Sequence, residues 1–267
     1  MTDNEIPCSI SAVIPVYNDR ESLARAIPVS LEYLDRITRI FELIITEDAS
    51  TDGSYELARS WAERDQRIKV RHRDKRLGRG SALNEAVLSA TGDIFCYFDV
   101  DMATDMTHLS ELITSIRKGY DIAIGSRLLK ESRITRSPDR EMKSRGYNLL
   151  VRLCIGGDVR DHQCGFKAFN RMKLLELLPS IQDTHWFWDT ELLAYAERRG
   201  YRIKELPVVW KEGPGTTVKT RDILLMGRSI LGLRLRLLRE SRTPPSPDQY
   251  PQPSGGIFTQ TGFMHLK

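Results

Sequence analysis

Ile94-Phe95-Cys96-Tyr97-Phe98-Asp99-Val100-Asp101 decides how this chain is read. Five apolar or aromatic residues run straight into two carboxylates one residue apart. Preceded by the turn Thr91-Gly92-Asp93, a short run of this kind is expected to be a buried parallel strand. The C-terminal end of such a strand is where open α/β sheets place their ligands. Two Asp side chains there are costly unless a cation sits between them. A divalent metal carrying a nucleotide diphosphate meets that need, because hard cations take carboxylate and phosphate oxygens together. An isolated Asp-x-Asp is more often a turn, but the buried strand before this one favours the metal.

Toward the N-terminus the same pattern repeats. Ile10 to Val16 reads as a first strand, with Tyr17-Asn18-Asp19 as the loop beyond it and Pro15 near its end. Helical spacing follows from Glu21 to Leu34. Phe41 to Ile45 is a second strand, ending in Glu47-Asp48-Ala49-Ser50-Thr51-Asp52-Gly53-Ser54. That string is dense in side chains that cap helices and bond to backbone, with Thr51 or Asp52 expected as a cap. A helix from Ser54 to Arg64 and a short strand from Ile68 to Arg71 come next. Gly78-Arg79-Gly80 then opens a helix through Ala90. Its glycines let backbone approach a ligand and its helix start favours anions, although the third glycine of a dinucleotide fingerprint is missing. Strands alternating with helices at this spacing predict an α/β fold with a doubly wound, mostly parallel sheet.

Beyond Asp101, residues 108–118 are expected to be helical and Asp121 to Ile124 to form a strand ending in Gly125-Ser126-Arg127. From Arg127 to Arg145 the chain carries seven basic residues, Arg136 and Arg140 among them, against three acidic ones. Tyr147 to Ile155 directly behind is almost wholly apolar. A solvated basic face is one reading; an interface with phosphate headgroups is the other. Asp161-His162-Gln163-Cys164-Gly165-Phe166-Lys167 is a second concentrated polar motif, in which His162 is expected to hydrogen-bond rather than to bind metal. Trp186 to Glu191 starts a helix whose aromatics belong to the core. Ile203 to Trp210 reads as a late strand, with Pro207 marking an edge. Asp222 to Glu240 is an amphipathic helix with Arg228, Arg236 and Arg239 on one narrow face. Residues 1–221 are thus expected to form the catalytic domain, 222–242 a helix suited to a membrane surface, and 243–267 a Pro/Ser/Gly-rich disordered tail.

At 267 residues and 40% hydrophobic content, the chain can bury a full core. A net charge of +4 is too mild to require nucleic acid, and the basic stretches adjoin apolar helices without exposed stacking aromatics. The four cysteines are scattered, which suits unpaired thiols in a reducing compartment. The N-terminus is too polar for a signal peptide, and no apolar run approaches the roughly 20 residues that span a bilayer. The expected location is cytoplasmic, peripheral to the cytoplasmic face of a membrane.

Taken together, the strings Pro15-Val16-Tyr17-Asn18-Asp19, Glu47 to Ser54, Gly78-Arg79-Gly80, Asp99-Val100-Asp101-Met102-Ala103-Thr104, Gly125-Ser126-Arg127, Arg136-Ser137, Arg160 to Lys167 and Pro214-Gly215 resemble a known group. The chain is similar to family-2 glycosyltransferases of GT-A fold, in particular the dolichyl-phosphate glucose and mannose synthases. The Gln163-Cys164-Gly165-Phe166-Lys167 string and the Asp-x-Asp-x-Ala-Thr form look closer to the glucosyl branch. Asp19 stands where the family usually has Glu, Arg79 replaces a frequent Lys, and Ala103 offers no side-chain ligand. The resemblance implies an inverting transfer of a hexose from a nucleotide sugar, UDP-glucose favoured over GDP-mannose, to dolichyl or polyprenyl phosphate. It places Pro15, Tyr17, Asp19, Asp48 and Arg79 on the nucleotide sugar, with Asp48 accepting from a base N–H. Asp99 and Asp101 would carry Mg²⁺ or Mn²⁺. Arg127, Arg136 and Arg140 would take the acceptor phosphate, with Lys167 as a further positioning cation. Asp161 would orient the acceptor or one of these cations, and Asp189 is the second candidate for a base. A hydroxyl acceptor, or a non-catalytic nucleotide-binding relative, are the rival readings.

Overall fold

The computed structural model describes residues 8–213 and 220–239. Pro214-Gly215 and the tail 243–267 lie outside them. The elements are β1 (Ile10–Val16), α1 (Arg20–Ile37), β2 (Phe41–Glu47), α2 (Ser54–Ala62), β3 (Ile68–His72), α3 (Arg79–Ser89) and β4 (Ile94–Phe98). These are followed by α4 (Leu109–Arg117), β5 (Ile122–Ser126), β6 (Arg133–Thr135), α5 (Pro138–Ile155), β7 (Phe166–Asn170) and α6 (Arg171–Leu177). The last are α7 (Trp188–Arg198), β8 (Ile203–Pro207), β9 (Val209–Lys211) and α8 (Thr220–Arg239).

Seven strands form one sheet in the order β3-β2-β1-β4-β7-β5-β8. The order reverses between β1 and β4, so the acidic strand end sits at the topological switch point. The mostly parallel sheet is as expected, with one difference at its centre. β7 runs antiparallel to both β4 and β5, pairing Tyr97 with Lys167 and Ile124 with Lys167. The motif Asp161–Lys167 was expected only as a polar cluster, yet its end is the first part of a central strand. Strand pairing supplied the order that a five-residue run lacks on its own. The expected strand from Ile203 to Trp210 is split in two: β8 closes the sheet edge, and β9 leaves it to pair with β6. Pro207, which has no N–H to donate, is the last residue of β8.

Side chains alternate across each strand, and both faces are covered. Phe95 and Tyr97 of β4 point to a core shared with α3, α5, α6, α7 and α8; Cys96 and Phe98 point to one shared with α1, α2 and α4. Ile230, Leu233 and Leu237 of α8 are buried in the first of these cores. The C-terminal helix is therefore packed on the sheet-bearing domain along one face, and its Arg236 reaches the buried Glu191. Among the described residues no helix is long and apolar enough to cross a membrane. The cysteines are unpaired, with Cys96 and Cys164 buried.

Candidate active site

The loops after β1 and β2 are cross-linked before any ligand arrives. Asn18 donates its backbone N–H to Ser50 Oγ at 2.9 Å, and Thr51 returns its N–H to Asn18 Oδ1 at 2.8 Å. Asp52 accepts from the N–H of Arg20 at 2.8 Å and of Ser54 at 3.0 Å, so it ties together the starts of α1 and α2. Asp52 thus bonds to a helix start as expected, while Gly53 occupies the N-cap position of α2. Asn18, Ala49 and Met102 hold positive φ, in the loops that follow β1, β2 and β4 respectively. Left-handed backbone at non-glycine residues persists only where surroundings enforce it.

The residues assigned to the nucleotide cluster at these ends. Pro15 stands beyond the β1–β4 ladder, which ends at Val13. The Tyr17 ring lies 3.7 Å from the Arg76 guanidinium carbon, and Asp19 caps α1 through Ser22. Asp48 is buried and already accepts the N–H groups of Leu77 at 3.0 Å and Gly78 at 2.8 Å. Its role in the structure begins with holding the α3 entry loop. Any base N–H would share oxygens already in use.

Asp99 and Asp101 flank the end of β4. Asp99 donates its backbone N–H to the Gly165 carbonyl at 3.0 Å. A Cβ built on Gly165 would fall 2.0 Å from Asp99 Oδ2, so only glycine leaves that carboxylate its place. Asp101 accepts from Ala103 N at 3.0 Å. Burial and the neighbouring Asp99 charge push the Asp101 carboxyl above its ordinary value. That like-charge pressure is what a divalent cation relieves, so the pair fits one. Among the described residues no group of three His, Cys, Asp or Glu side chains converges on a common point. The remaining oxygens that a hard cation requires would come from phosphate and water.

Behind this pair runs a line of alternating charges. Arg79 contacts Asp99 Oδ1 at 3.0 Å and Asp189 Oδ2 at 2.7 Å. Asp189 also takes the Lys167 ammonium at 2.9 Å and the Tyr97 hydroxyl. Lys167 is wholly buried and donates to the His162 carbonyl at 3.1 Å as well. Burial raises the Asp189 pKa, but Lys167 and Arg79 outweigh it and leave the carboxyl below its usual range. Asp189 is thus a poor proton acceptor as arranged.

Asp161 is equally committed. It accepts from Arg127 Nε at 2.7 Å, Nη2 at 2.8 Å and the backbone N–H at 2.9 Å. Burial alone would raise its pKa; Arg127's charge and hydrogen bonds hold it well below the carboxylate range. Its three bonds to Arg127 hold that guanidinium in one orientation. His162 is buried, donates its N–H to Asn148 Oδ1 at 2.9 Å, and is pushed down to about pKa 4 by burial. Arg136 lies near Arg127, and both guanidinium groups face Trp210. Arg140, by contrast, is turned to Glu212 in an ion pair, which sets it apart from the Arg127–Arg136 group. Trp210 and Tyr97 belong to the site without having been singled out in the sequence; their only local signal was an aromatic beside a strand end.

Comparisons with known proteins give the family and the fold. The family model "Glycosyl transferase family 2" matches residues 11–178. Glycosyltransferase AglD of Haloferax volcanii is 46% identical over 226 residues, 83% of this chain, and the match spans 36% of that protein's length. Dolichyl-phosphate beta-glucosyltransferase of Homo sapiens is 31% identical, with 86% of this chain and 76% of that protein covered. Among solved structures, glucosyl-3-phosphoglycerate synthase from Mycobacterium tuberculosis with Mn²⁺, UDP-glucose and phosphoglyceric acid superposes with a TM-score of 0.63 at 19% identity. That match covers 86% of this chain and 79% of the other and speaks to fold. With its carboxylate pair at the switch point and the match over residues 11–178, the chain belongs to glycosyltransferase family 2.

Proposed function

We propose that the enzyme transfers a hexose, with inversion, from a nucleotide sugar to dolichyl or another polyprenyl phosphate. UDP-glucose is the favoured donor and GDP-mannose the alternative. The observation that carries this reading is the Arg136 guanidinium. Its side chain is 4% exposed, yet Nε and Nη2 have no hydrogen-bond partner. A buried cation edge beside Arg127 that makes no hydrogen bond, its one ion pair with Glu141 stretched to 3.7 Å, is a place for an anion. The relatives named dolichyl-phosphate beta-glucosyltransferase support the same acceptor.

In the reaction an acceptor phosphate oxygen attacks the sugar's anomeric carbon from the face opposite the nucleotide. The bond from that carbon to the diphosphate breaks, and the nucleoside diphosphate leaves with the electron pair. Asp99 and Asp101 would hold a Mg²⁺ or Mn²⁺ ion, which would supply charge neutralisation for the diphosphate. A phosphate monoester has a second pKa of about 6 and is already a dianion near neutral pH. No strong base is then needed, which agrees with the commitment of Asp161 and Asp189 to cations. Arg127 and Arg136 position the nucleophile, and Lys167 with Arg79 holds the carboxylates that shape the site.

Arg136→Ala is expected to weaken use of polyprenyl phosphate at least about tenfold while changing donor KM little. Transfer to polyprenyl phosphate and to free polyprenol, followed as labelled sugar in the organic phase, checks both points. Equal rates with the two lipids in the unchanged enzyme would overturn the phosphate acceptor in favour of a hydroxyl one.

The lipid also implies a surface. Leu231, Leu235 and Leu238 of α8 and Met142, Leu149 and Leu153 of α5 are exposed, with Leu153 at 73%. The two helices touch where Arg234 donates to the Cys154 carbonyl. Exposed apolar side chains on the same two helices as the exposed Arg145, Arg152, Arg228 and Arg239 suit the headgroup boundary of an anionic cytoplasmic leaflet. Because the opposite face of α8 is buried, deleting the helix would disturb the core, so the test leaves it in place. The triple change Leu231→Gln, Leu235→Gln and Leu238→Gln is expected to cut sedimentation with phosphatidylserine vesicles severalfold, donor affinity being kept. Undiminished sedimentation would remove this surface from the reading.

A further inference from the structure

One short strand joins the donor half of the site to the acceptor half. β9 pairs with β6 in the register Ile134↔Trp210 and forms a bridge from Trp210 to Thr104. Asp105 donates its N–H to the Val209 carbonyl at 2.9 Å, and Lys211 donates to the Ala103 carbonyl at 2.8 Å. On the other flank Glu212 donates to the Thr135 carbonyl at 2.9 Å. The loop after Asp101 and the segment running into Arg136 are therefore tied to the same three residues.

The side chain at the middle of that strand faces both acceptor arginines. The Arg127 guanidinium carbon lies 5.7 Å from the Trp210 ring centroid and that of Arg136 lies 5.8 Å from it. Arg127 cannot move to accommodate its neighbour, because Asp161 holds it at two nitrogens and at its backbone. Arg136 has no such anchor. Glu141 is 3.7 Å from its Nε, beyond hydrogen-bonding distance. Burial and the charge of Arg127 both work against its ionised form. A ring quadrupole shared by the two cations offsets part of that cost.

The geometry points to Trp210 as a positioning residue for the acceptor. Its indole keeps Arg136 alongside Arg127, with the edge of Arg136 that makes no hydrogen bond presented to the phosphate monoester. This rests on the lipid-phosphate reading above. Without the ring, Arg136 would close its 3.7 Å gap to Glu141 into a hydrogen bond, and the two-arginine site would open. A phenyl ring in place of the indole retains most of the attraction, whereas an aliphatic side chain of similar bulk does not.

The test is titration calorimetry of the full chain with farnesyl phosphate and, separately, with UDP-glucose and Mn²⁺. Trp210→Leu is expected to weaken farnesyl phosphate binding about tenfold, Trp210→Phe no more than about threefold, and neither to shift UDP-glucose binding by more than about twofold. Should the leucine variant fail to fold, Trp210→Met replaces it in the comparison with Trp210→Phe. On an Arg136→Gln background the Trp210 changes should cost nothing more, because the cation they position is gone. Farnesyl phosphate bound as tightly by Trp210→Leu or Trp210→Met as by the unchanged enzyme overturns the assignment. An equal loss of UDP-glucose overturns it too, and gives the ring to the donor. No farnesyl phosphate binding by the unchanged enzyme overturns the lipid-phosphate reading itself, and this assignment with it.

Discussion

Replacing Asp101 with alanine is expected to abolish sugar transfer and leave the fold intact. The carboxylate sits past the end of β4, outside either core, and accepts a single backbone N–H from Ala103. Removing it takes away one of two protein oxygens for the cation, so kcat/KM should fall by about a thousandfold or more. Stability should not fall. The pKa of Asp101 is raised in the folded state, so its ionisation opposes folding: the native form is favoured at pH below the unfolded value near 3.9 and loses that advantage as pH rises through the raised folded value. Near neutral pH the alanine variant should melt at or slightly above the unchanged protein. Mn²⁺ should raise the melting temperature of the unchanged protein at that pH and lose this effect in Asp101→Ala. Asp99→Ala should be comparably inactive, and it also strips Arg79 of one partner. Full transfer by Asp101→Ala in the presence of chelator would refute the metal site.

Asp189→Ala carries the largest expected loss of stability. It leaves the wholly buried Lys167 without its only carboxylate among the described contacts and removes a partner from Arg79. Breaking a buried pair by removing one partner costs about 3–5 kcal/mol, and at this chain length that lowers the melting temperature on the order of 10 °C. Lys167→Met added to Asp189→Ala should recover part of the loss, since no unpaired ammonium then remains. Strictly additive losses in the double variant would show that the two groups are not coupled. The same charges set the acid limit. Asp161 and Asp189 are both held below their ordinary values, so their contribution is complete above the unfolded pKa near 3.9 and is lost as pH falls below it. Acid unfolding monitored by circular dichroism should begin in that window and be blunted in Asp189→Asn.

Much of this architecture was legible because it is local. Ile94 to Asp101 announced a buried strand with acidic residues at its end through nothing more than a run of apolar side chains and a turn before it. The βα units at β1 and β2 were readable from capping residues and periodicity, which act over a few positions of chain. Family resemblance added the expectation that Arg127, Arg136 and Arg140 take an acceptor phosphate. The tertiary structure decided the rest, for a common reason: the partners are far apart in sequence, and a local pattern does not choose among distant ones. β7 could take its antiparallel place only because Tyr97 and Ile124 flank it. Arg79, Tyr97, Lys167 and Asp189 come from four separate elements, and their charges pair only when those elements pack. Arg140 and Arg136 look alike along the chain, yet Glu212 approaches the first closely, while the second stays 3.7 Å from Glu141, faces Trp210 and makes no hydrogen bond through Nε or Nη2. In α8 the amphipathic pattern was evident, but which side chains face the core is set by the surface beneath the helix: Arg236, grouped with Arg228 and Arg239 in the sequence, meets the buried Glu191.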